Sequence, residues 1–570
     1  MLLSHLLAAF SRIAGRRALW RGRLATGLAG LRIARRPAVR RIVVLLCVAS
    51  ALAVAAADEW RVSARNRFVR AGAEAGASVA LTVHAADVKA LRSAVAAADP
   101  SGGYATPVVI QRPPDSGPAV VAMQPASFAR IAAWGWPRDQ PTAAMTAALS
   151  PALPKPISLT GTSMQLRLTD ESLSRRKLVD GGSPAPAYLL ALLRRASGDI
   201  YVRLGPLPAG HHESVALSAT IPCADGCRLA QLAVSRSTAD TGGTQFDATI
   251  TGLYAGTRGA LGQVSLGTAA DWGEATPETS ATDGSAEKIS LGDAGGELDL
   301  SFFYGGAPEA LQHLAVPVAV PAVTAGDVPP DLDPQGNLNA RNIDSVPTAF
   351  RPVGHLEFVP GDVGPALLVD IDLAAAVAAP TLADSTTAVW LGADDPARER
   401  AFVAALERHG VSVISRDTAA EHRATLAATA PAWAMQAALI AALLAVLIAA
   451  LLILISATMS RRERAGDASA LGLVGVDRAT LRRATLLEHL VAVVTAVLVG
   501  TAVGVVGAQL ALPATPIFLA RLEAPGIVRY AAWGSILLAA AYTLAALVVA
   551  GVATSLVLAR RIAPLPDIEQ

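Results

Sequence analysis

The stretch Ala437–Ile455, "AALIAALLAVLIAALLILI", is unbroken apolar sequence. A helix rises about 1.5 Å per residue, so a run of this length crosses a hydrocarbon core about 30 Å thick, and this one segment places part of the chain in lipid. Two more runs of the same character follow it: Leu490–Ala508, interrupted only by Thr495, Thr501 and glycines, and Tyr530–Ala559, which carries no charge. On the N-terminal side, Ile42–Ala57 is shorter, at 16 residues. The arginines before it and the small residues Ala55–Ala57 also suit a signal peptide, but a basic region of about 40 residues is long for one. Asp58, Glu59 and Trp60 suit an outer membrane boundary, so this run is read as the first of four spans. The whole chain, 570 residues with 52% hydrophobic and 16% charged, agrees with a membrane class.

Arginine placement orients the spans. Residues 1–41 hold ten arginines and no acid, the 461–483 loop holds six, and Arg560 and Arg561 close the last run. By the positive-inside rule these three segments face the cytoplasm, as do both termini, which leaves residues 58–430 outside. Trp60, Trp433, Tyr530 and Trp533 then fall at outer helix ends, where amphipathic rings settle. Residues 58–430 carry 28 basic against 39 acidic side chains, so nucleic acid is excluded as a partner class. Cys47 lies in the first span, whereas "CADGC" sets Cys223 and Cys227 together in the outside region, where a local disulfide is expected over free thiols or a zinc site.

Outside the membrane, "SVALTV" at Ser78–Val83 alternates as a half-buried strand and is followed by Val88, Leu91 and Val95 at helical spacing. "PVVI" and "AVVAM" add strands before a short helix opened by Pro125. The same grammar returns late: "TAVWL", Asp395 as N-cap, Pro396 in the first turn, Gly410 as terminator, then "VSVIS". Between them, "IYVRL", "VALSATI", "FDATIT" and "LDLSFF" alternate as short strands of a β-sandwich, and the proline-rich Val316–Pro334 reads as a linker. The glycine, serine and threonine tracts near 237–243 and 266–286 read as surface loops. The fold class is therefore a multi-pass α-helical membrane protein with a large extracytoplasmic α+β region, in which a sandwich interrupts a split α/β domain. The expected parts are an α/β piece over 58–150, a sandwich over 190–325, a second α/β piece over 350–430, and spans over 42–57, 431–460, 487–512 and 530–559. A cytoplasmic segment over 1–41, an inner loop over 461–486 and a tail over 560–570 complete the chain.

Chemistry is sparse. The four lysines, Lys89, Lys155, Lys177 and Lys288, never follow a glycine, so the phosphate-gripping P-loop is missing and no ATPase activity is expected of this chain. "HHE" at His211–Glu213 alternates across a strand and suits a solvated turn better than a metal site. No nucleophile elbow or serine, histidine and carboxylate set is legible, and no cofactor is expected. "GTAVG", with Gly500, Gly504 and then Gly507, permits close helix packing, either among the four spans or with a second subunit. Glu488, at the inner end of the third span, is expected to pair with an arginine at the membrane boundary.

The inner loop, "RRERAGDASALGLVGVDRATLRRATLLEHL" from Arg461 to Leu490, divides into two short helices: one ends near Gly475, and the other is capped by Asp477 and carries Arg478, Arg482 and Arg483 into the third span. Arg461 and Arg462 open the loop, and Asp467, Leu471, Gly475, the arginine-rich helix start and Leu486–Glu488 then give an order of acid, leucine, glycine, arginines and "LLE". This resembles the FtsX-like permeases, including the MacB-type subunits of ABC transporters. The resemblance covers residues 430–560, and the plan of one span, a large outside domain and three more spans is similar to the MacB type. It implies that the loop docks on a cytoplasmic ABC ATPase, that the flanking α/β pieces form a porter-like domain, and that ATP-driven motion is relayed outward. The arginine-rich 1–41 segment looks like a linker between two permease halves, so the chain reads as a half-size subunit that pairs with itself or with a second half. The competing reading is a membrane-anchored surface receptor or glycan-binding protein. The extracytoplasmic substrate or partner is not legible.

Overall fold

The computed structural model describes residues 2–35, 37–114, 117–135, 139–175, 186–195, 198–235, 244–274, 289–294, 297–304, 310–328, 332–333, 335–378, 382, 384–459, 466, 475–518 and 526–560. The chain divides into two compact units. One holds Met1–Ala71, Ala420–Leu522 and Gly526–Gln570; the other holds Gly72–Ala419 with Glu523–Pro525.

The chain opens with three helices, α1 (Leu2–Trp20), α2 (Leu24–Arg35) and α3 (Pro37–Ala75). The second unit then begins with β1 (Val79–His84), α4 (Val88–Ala98), β2 (Ala105–Gln111), β3 (Ala119–Met123), α5 (Pro125–Ile131) and α6 (Ala143–Leu149). A β-rich insertion follows as β4 (Ile157–Arg175), β5 (Tyr188–Arg194), β6 (Ile200–Leu204), β7 (Gly210–Ser235), β8 (Thr244–Thr257), β9 (Ala260–Val264), β10 (Trp272–Glu274), β11 (Ile289–Ala294), β12 (Glu297–Tyr304) and β13 (Ala310–His313). The unit closes with β14 (Val320–Ala325), β15 (Leu338–Arg341), β16 (Pro347–Leu356), β17 (Ala366–Asp370), α7 (Ile371–Val377), β18 (Ser385–Leu391), α8 (Pro396–Arg408) and β19 (Ser412–Thr418). Helices α9 (Ala419–Ala427), α10 (Ala430–Met459), α11 (Arg478–Ala511) and α12 (Trp533–Arg560) complete the chain.

The second unit is built on a mixed nine-stranded sheet in the order β15-β16-β14-β17-β3-β2-β18-β1-β19. β2 and β3 are buried along their whole length, as a strand covered on both faces must be. Val88 and Leu91 of α4, Ile371 of α7 and Phe402 and Leu406 of α8 fill one face, while Phe128 of α5 and Leu149 of α6 fill the other. Asp87 caps α4 by accepting from the Ala90 amide, and Asp395 caps α8 by accepting from Ala397 and Arg398, which is why these helices start where they do.

The expected linker over Val316–Pro334 is not one. It contains β14, an inner strand parallel to β16 and antiparallel to β17. Proline misleads here, since a central strand normally excludes it. Pro321 is tolerated because the β17 ladder begins one residue later, at Ala322↔Val369.

The inserted strands join in a single ten-stranded sheet around one apolar core, and the insertion starts at Ile157 rather than 190. Two strands are far longer than the alternation suggests: β4 has 19 residues and β7 has 26. Bulges keep them in register past local irregularities, with shifts on either side of Gly161. At one of these, Cys223 and Cys227 are joined by a disulfide across the exposed residues Ala224 and Asp225. Of the expected loop tract over 266–286, residues 275–286 lie outside the described residues; the described part buries Trp272, whose indole donates to the Leu266 carbonyl at 2.9 Å. The tract near 237–243 lies outside the described residues.

Among the described residues, four helical stretches are long and apolar enough to cross a membrane: Arg41–Ala75, Ala430–Ser456, Ala479–Ala511 and Trp533–Thr554. The chain is a membrane protein with a large α/β region. The first span does not stop at Ala57; α3 runs on to Ala75 as one helix of 39 residues. The segment read as an arginine-rich linker forms the α1 and α2 pair. The bundle core gathers Val43 and Leu46 of α3, Ala449 and Ile453 of α10, Val493 and Val497 of α11 and Leu547 of α12. Leu443, Leu444, Leu447 and Ile448 of α10 face outward, as lipid-facing residues do.

Candidate functional site

The site indicated by the sequence lies where α11 begins. Arg461, Arg462, Asp467 and Leu471 fall outside the described residues. Gly475 sits at φ +88°, a left-handed turn that a side chain disfavours, and it ends the approach to α11. Asp477 is the N-cap residue with extended backbone, and its carbonyl accepts from the Leu481 amide at 3.2 Å. Its carboxylate makes no cap bond, contrary to a side-chain cap. Arg478 opens the helix, and Arg482 and Arg483 are exposed on its first two turns. The helix thus places exposed guanidinium groups just before the stretch that enters the bundle.

Glu488 is packed within the bundle. It is 3% exposed, on the inward stripe Ala484, Glu488, Ala492 and Ala496 that the i, i+4 spacing aligns. With Ile42, Leu46, Ile453, Ser456 and His489 it lines a small cleft between α3, α10 and α11. His489 holds its Nδ1 at 2.8 Å from the Thr485 carbonyl, which orients the ring.

Two of the three glycines of α11 pack as close-approach residues. A Cβ on Gly500 would lie 2.6 Å from the Cys47 carbonyl oxygen, and one on Gly504 would lie 2.6 Å from that of Ala51, so α3 occupies this face within the same chain. Gly507 is exposed and meets nothing within 4 Å, because it points off that seam.

A second polar constellation was not legible as a site. Asp58, fully buried on α3, accepts from the Ala532 amide at 2.7 Å and from the Gln509 side chain at 3.3 Å. Ala532 precedes the first turn of α12, so a carboxylate from another helix caps α12 and meets its positive end. Two turns on, Asn66 grips the backbone of Val528, donating to its carbonyl at 2.9 Å and accepting from its amide at 2.8 Å. Arg70 lies 4.4 Å over the Phe518 ring, and Arg423 of α9 lies 4.3 Å over Phe68. The signal for this clasp is the i, i+4, i+8 spacing of Asp58, Val62 and Asn66, which forms one face only if the helix continues past the first apolar run.

Among the described residues, no cluster of three or more His, Cys, Asp or Glu could hold a metal ion, and His211 and Glu213 are exposed on β7. Residues 439–563 match the family model of the FtsX-like permease C-terminal domain. No curated protein matches the chain.

Proposed function

With an FtsX-like permease C-terminal domain over residues 439–563, a domain of ABC-transporter-type permeases, we propose that this chain is the membrane subunit of an ABC complex. Its inner surface receives the motion of a separate cytoplasmic ABC ATPase and relays it to a porter-like α/β region lying outside the membrane. ATP hydrolysis belongs to the partner. Residues 58–430 are extracytoplasmic and both termini cytoplasmic in this reading, and the complex contains two permease units, as two copies of this chain or as one copy with a second half.

The observation that carries the proposal is α3. At about 1.5 Å per residue it is about 58 Å long, far more than a span needs. Gly500 and Gly504 of α11 seat on it near its start, and Asp58 and Asn66 tie it to the approach of α12. Its last turn is built into the second unit, where the Ala73 carbonyl accepts from the Gly361 amide at 2.7 Å. Arg482 and Arg483 supply the charge that would meet acidic groups on the ATPase.

Affinity purification of the full chain in mild detergent, after co-expression with candidate ABC ATPases, tests the reading. Recovery of an ATPase whose turnover changes in the presence of the chain supports it. Recovery of no ATPase, together with binding of a glycan to the ectodomain, would replace it with the receptor reading.

A further inference from the structure

The α1 and α2 pair is a basic, amphipathic hairpin that the permease reading leaves without a role. The two helices meet at backbone distance: a Cβ on Gly30 would lie 2.7 Å from the Ser11 carbonyl oxygen and 2.9 Å from the Gly15 Cα. The turn between them, Arg21-Gly22-Arg23, closes with the Gly22 amide on the Leu19 carbonyl and the Arg23 amide on that of Ala18. Ile33 of α2 is 1% exposed within the bundle core beside Leu46 and Ile453, so the hairpin is seated on the spans.

The face turned away from this packing exposes large apolar side chains together with arginines. Ser11 and Gly15 point toward α2, while Phe10 is 72% exposed, Ile13 50%, Trp20 90% and Leu24 51%. Phe10, Ile13 and Trp20 fall on one side of a helix at spacings of three and seven. Arg12, Arg16, Arg21 and Arg23 are exposed around that stripe and Arg17 is exposed within it, between Phe10 and Ile13 in projection, and residues 1–41 contain no acid. Long arginine stems lie along apolar surface while their heads reach for anions.

We propose that α1 lies in the membrane interface as a lipid-docking helix, its Phe10, Ile13 and Trp20 stripe among the acyl chains and its arginines on anionic headgroups. Two features select lipid as the occupant. The hairpin runs directly into α3, whose apolar stretch begins at Arg41, so it is continuous with a surface already in the bilayer. Its charge is of one sign and complements phosphate-bearing headgroups, and an apolar face ringed by arginine buries about 5–10 Å deep at such a boundary. The proposal rests on the membrane reading of the spans and not on the ATPase.

The test uses the full chain in nanodiscs with a bimane fluorophore on Phe10→Cys, Cys47 being buried and the other two cysteines being bonded. Discs are made with brominated phosphatidylglycerol or brominated phosphatidylcholine, whose bromines quench only at contact. The label should lose most of its fluorescence in the anionic discs, and changing the five arginines to glutamine should restore it. A label on Tyr201→Cys should stay bright in both. A bright label at position 10 in all discs overturns the proposal, as does quenching that is equal in both lipids and indifferent to the arginine changes. Spontaneous disulfide-linked dimers through position 10 would show instead that a second copy covers the stripe. Both disc leaflets carry the same lipid, so a reversed topology does not alter the outcome.

Discussion

Glu171 stands at an inward position of β4 and is fully buried, with no hydrogen-bond partner for either carboxylate oxygen among the described residues. It arrives there because the β4 to β8 register shifts between Thr169 and Ser172, with Asp170 in a left-handed conformation at φ +48°. The shift moves the inward set from even to odd positions, so a residue that alternation assigns to solvent is turned into the core. Burial pushes the carboxyl above its ordinary value, opposed by the nearby His212 and His211. An acid whose folded value is raised adds stability below its unfolded value near 4.5, and that stability is lost as the pH climbs toward the folded value. Glu171→Gln should therefore raise the second unit's stability at neutral pH by about 1–3 kcal/mol, with the gain vanishing at acid pH, as thermal melts across pH would reveal. A second residue test concerns packing. Gly504→Leu forces a side chain against the Ala51 carbonyl and should cost about 1–3 kcal/mol of detergent-solubilised stability, whereas Gly507→Leu should stay within about 0.5 kcal/mol. The sequence shows all three glycines as one motif; only the rotation of α11 against α3 separates Gly507 from the others.

At the scale of elements, the apolar runs are legible because lipid demands length and hydrophobicity, which single sequences display directly. Helix α3 beyond Ala57 is hidden because charge resumes there, and charge says nothing about whether the backbone stays helical. The α/β pieces are legible from caps and alternation, whereas β14 is masked by proline and the insertion's connected sheet by strands that continue through bulges. Two elements carry separable predictions. Asp58→Ala and Asn66→Ala each strand a backbone amide and should each cost about 1–3 kcal/mol in thermal melts. Under the proposed relay they should leave a co-purified ATPase bound while lowering its stimulation. At the other end of the bundle, Gly475→Pro, and replacement of Arg478, Arg482 and Arg483 by glutamine, should reach the membrane yet lose the ATPase in pull-downs. Neutralising Arg560 and Arg561 should retain it. Elbow variants that bind the ATPase as well as the parent would reduce the arginines to lipid anchors.

For the whole molecule, the arginine distribution predicts that a cysteine engineered at position 470 stays unlabelled by a membrane-impermeant reagent in intact cells, while one at exposed Tyr201 is modified. Labelling at 470 would invert the proposed arrangement. The nine-stranded sheet carries a further consequence for how such a chain is made. β1 lies between β18 and β19, and β2 and β3 pair with each other but have β18 and β17 on their other sides, so β1 finds both of its partners, and β2 and β3 one each, only among the latest strands. At a synthesis rate of about 5–20 residues per second, β1 waits about 20–70 s for β19 to emerge. During that interval the inserted strands, whose partners all lie within 157–313, can complete their own core. The unfinished β1 and β3 edges stay open to wrong pairings throughout, which makes the parent sheet the part of the nascent chain most in need of a chaperone.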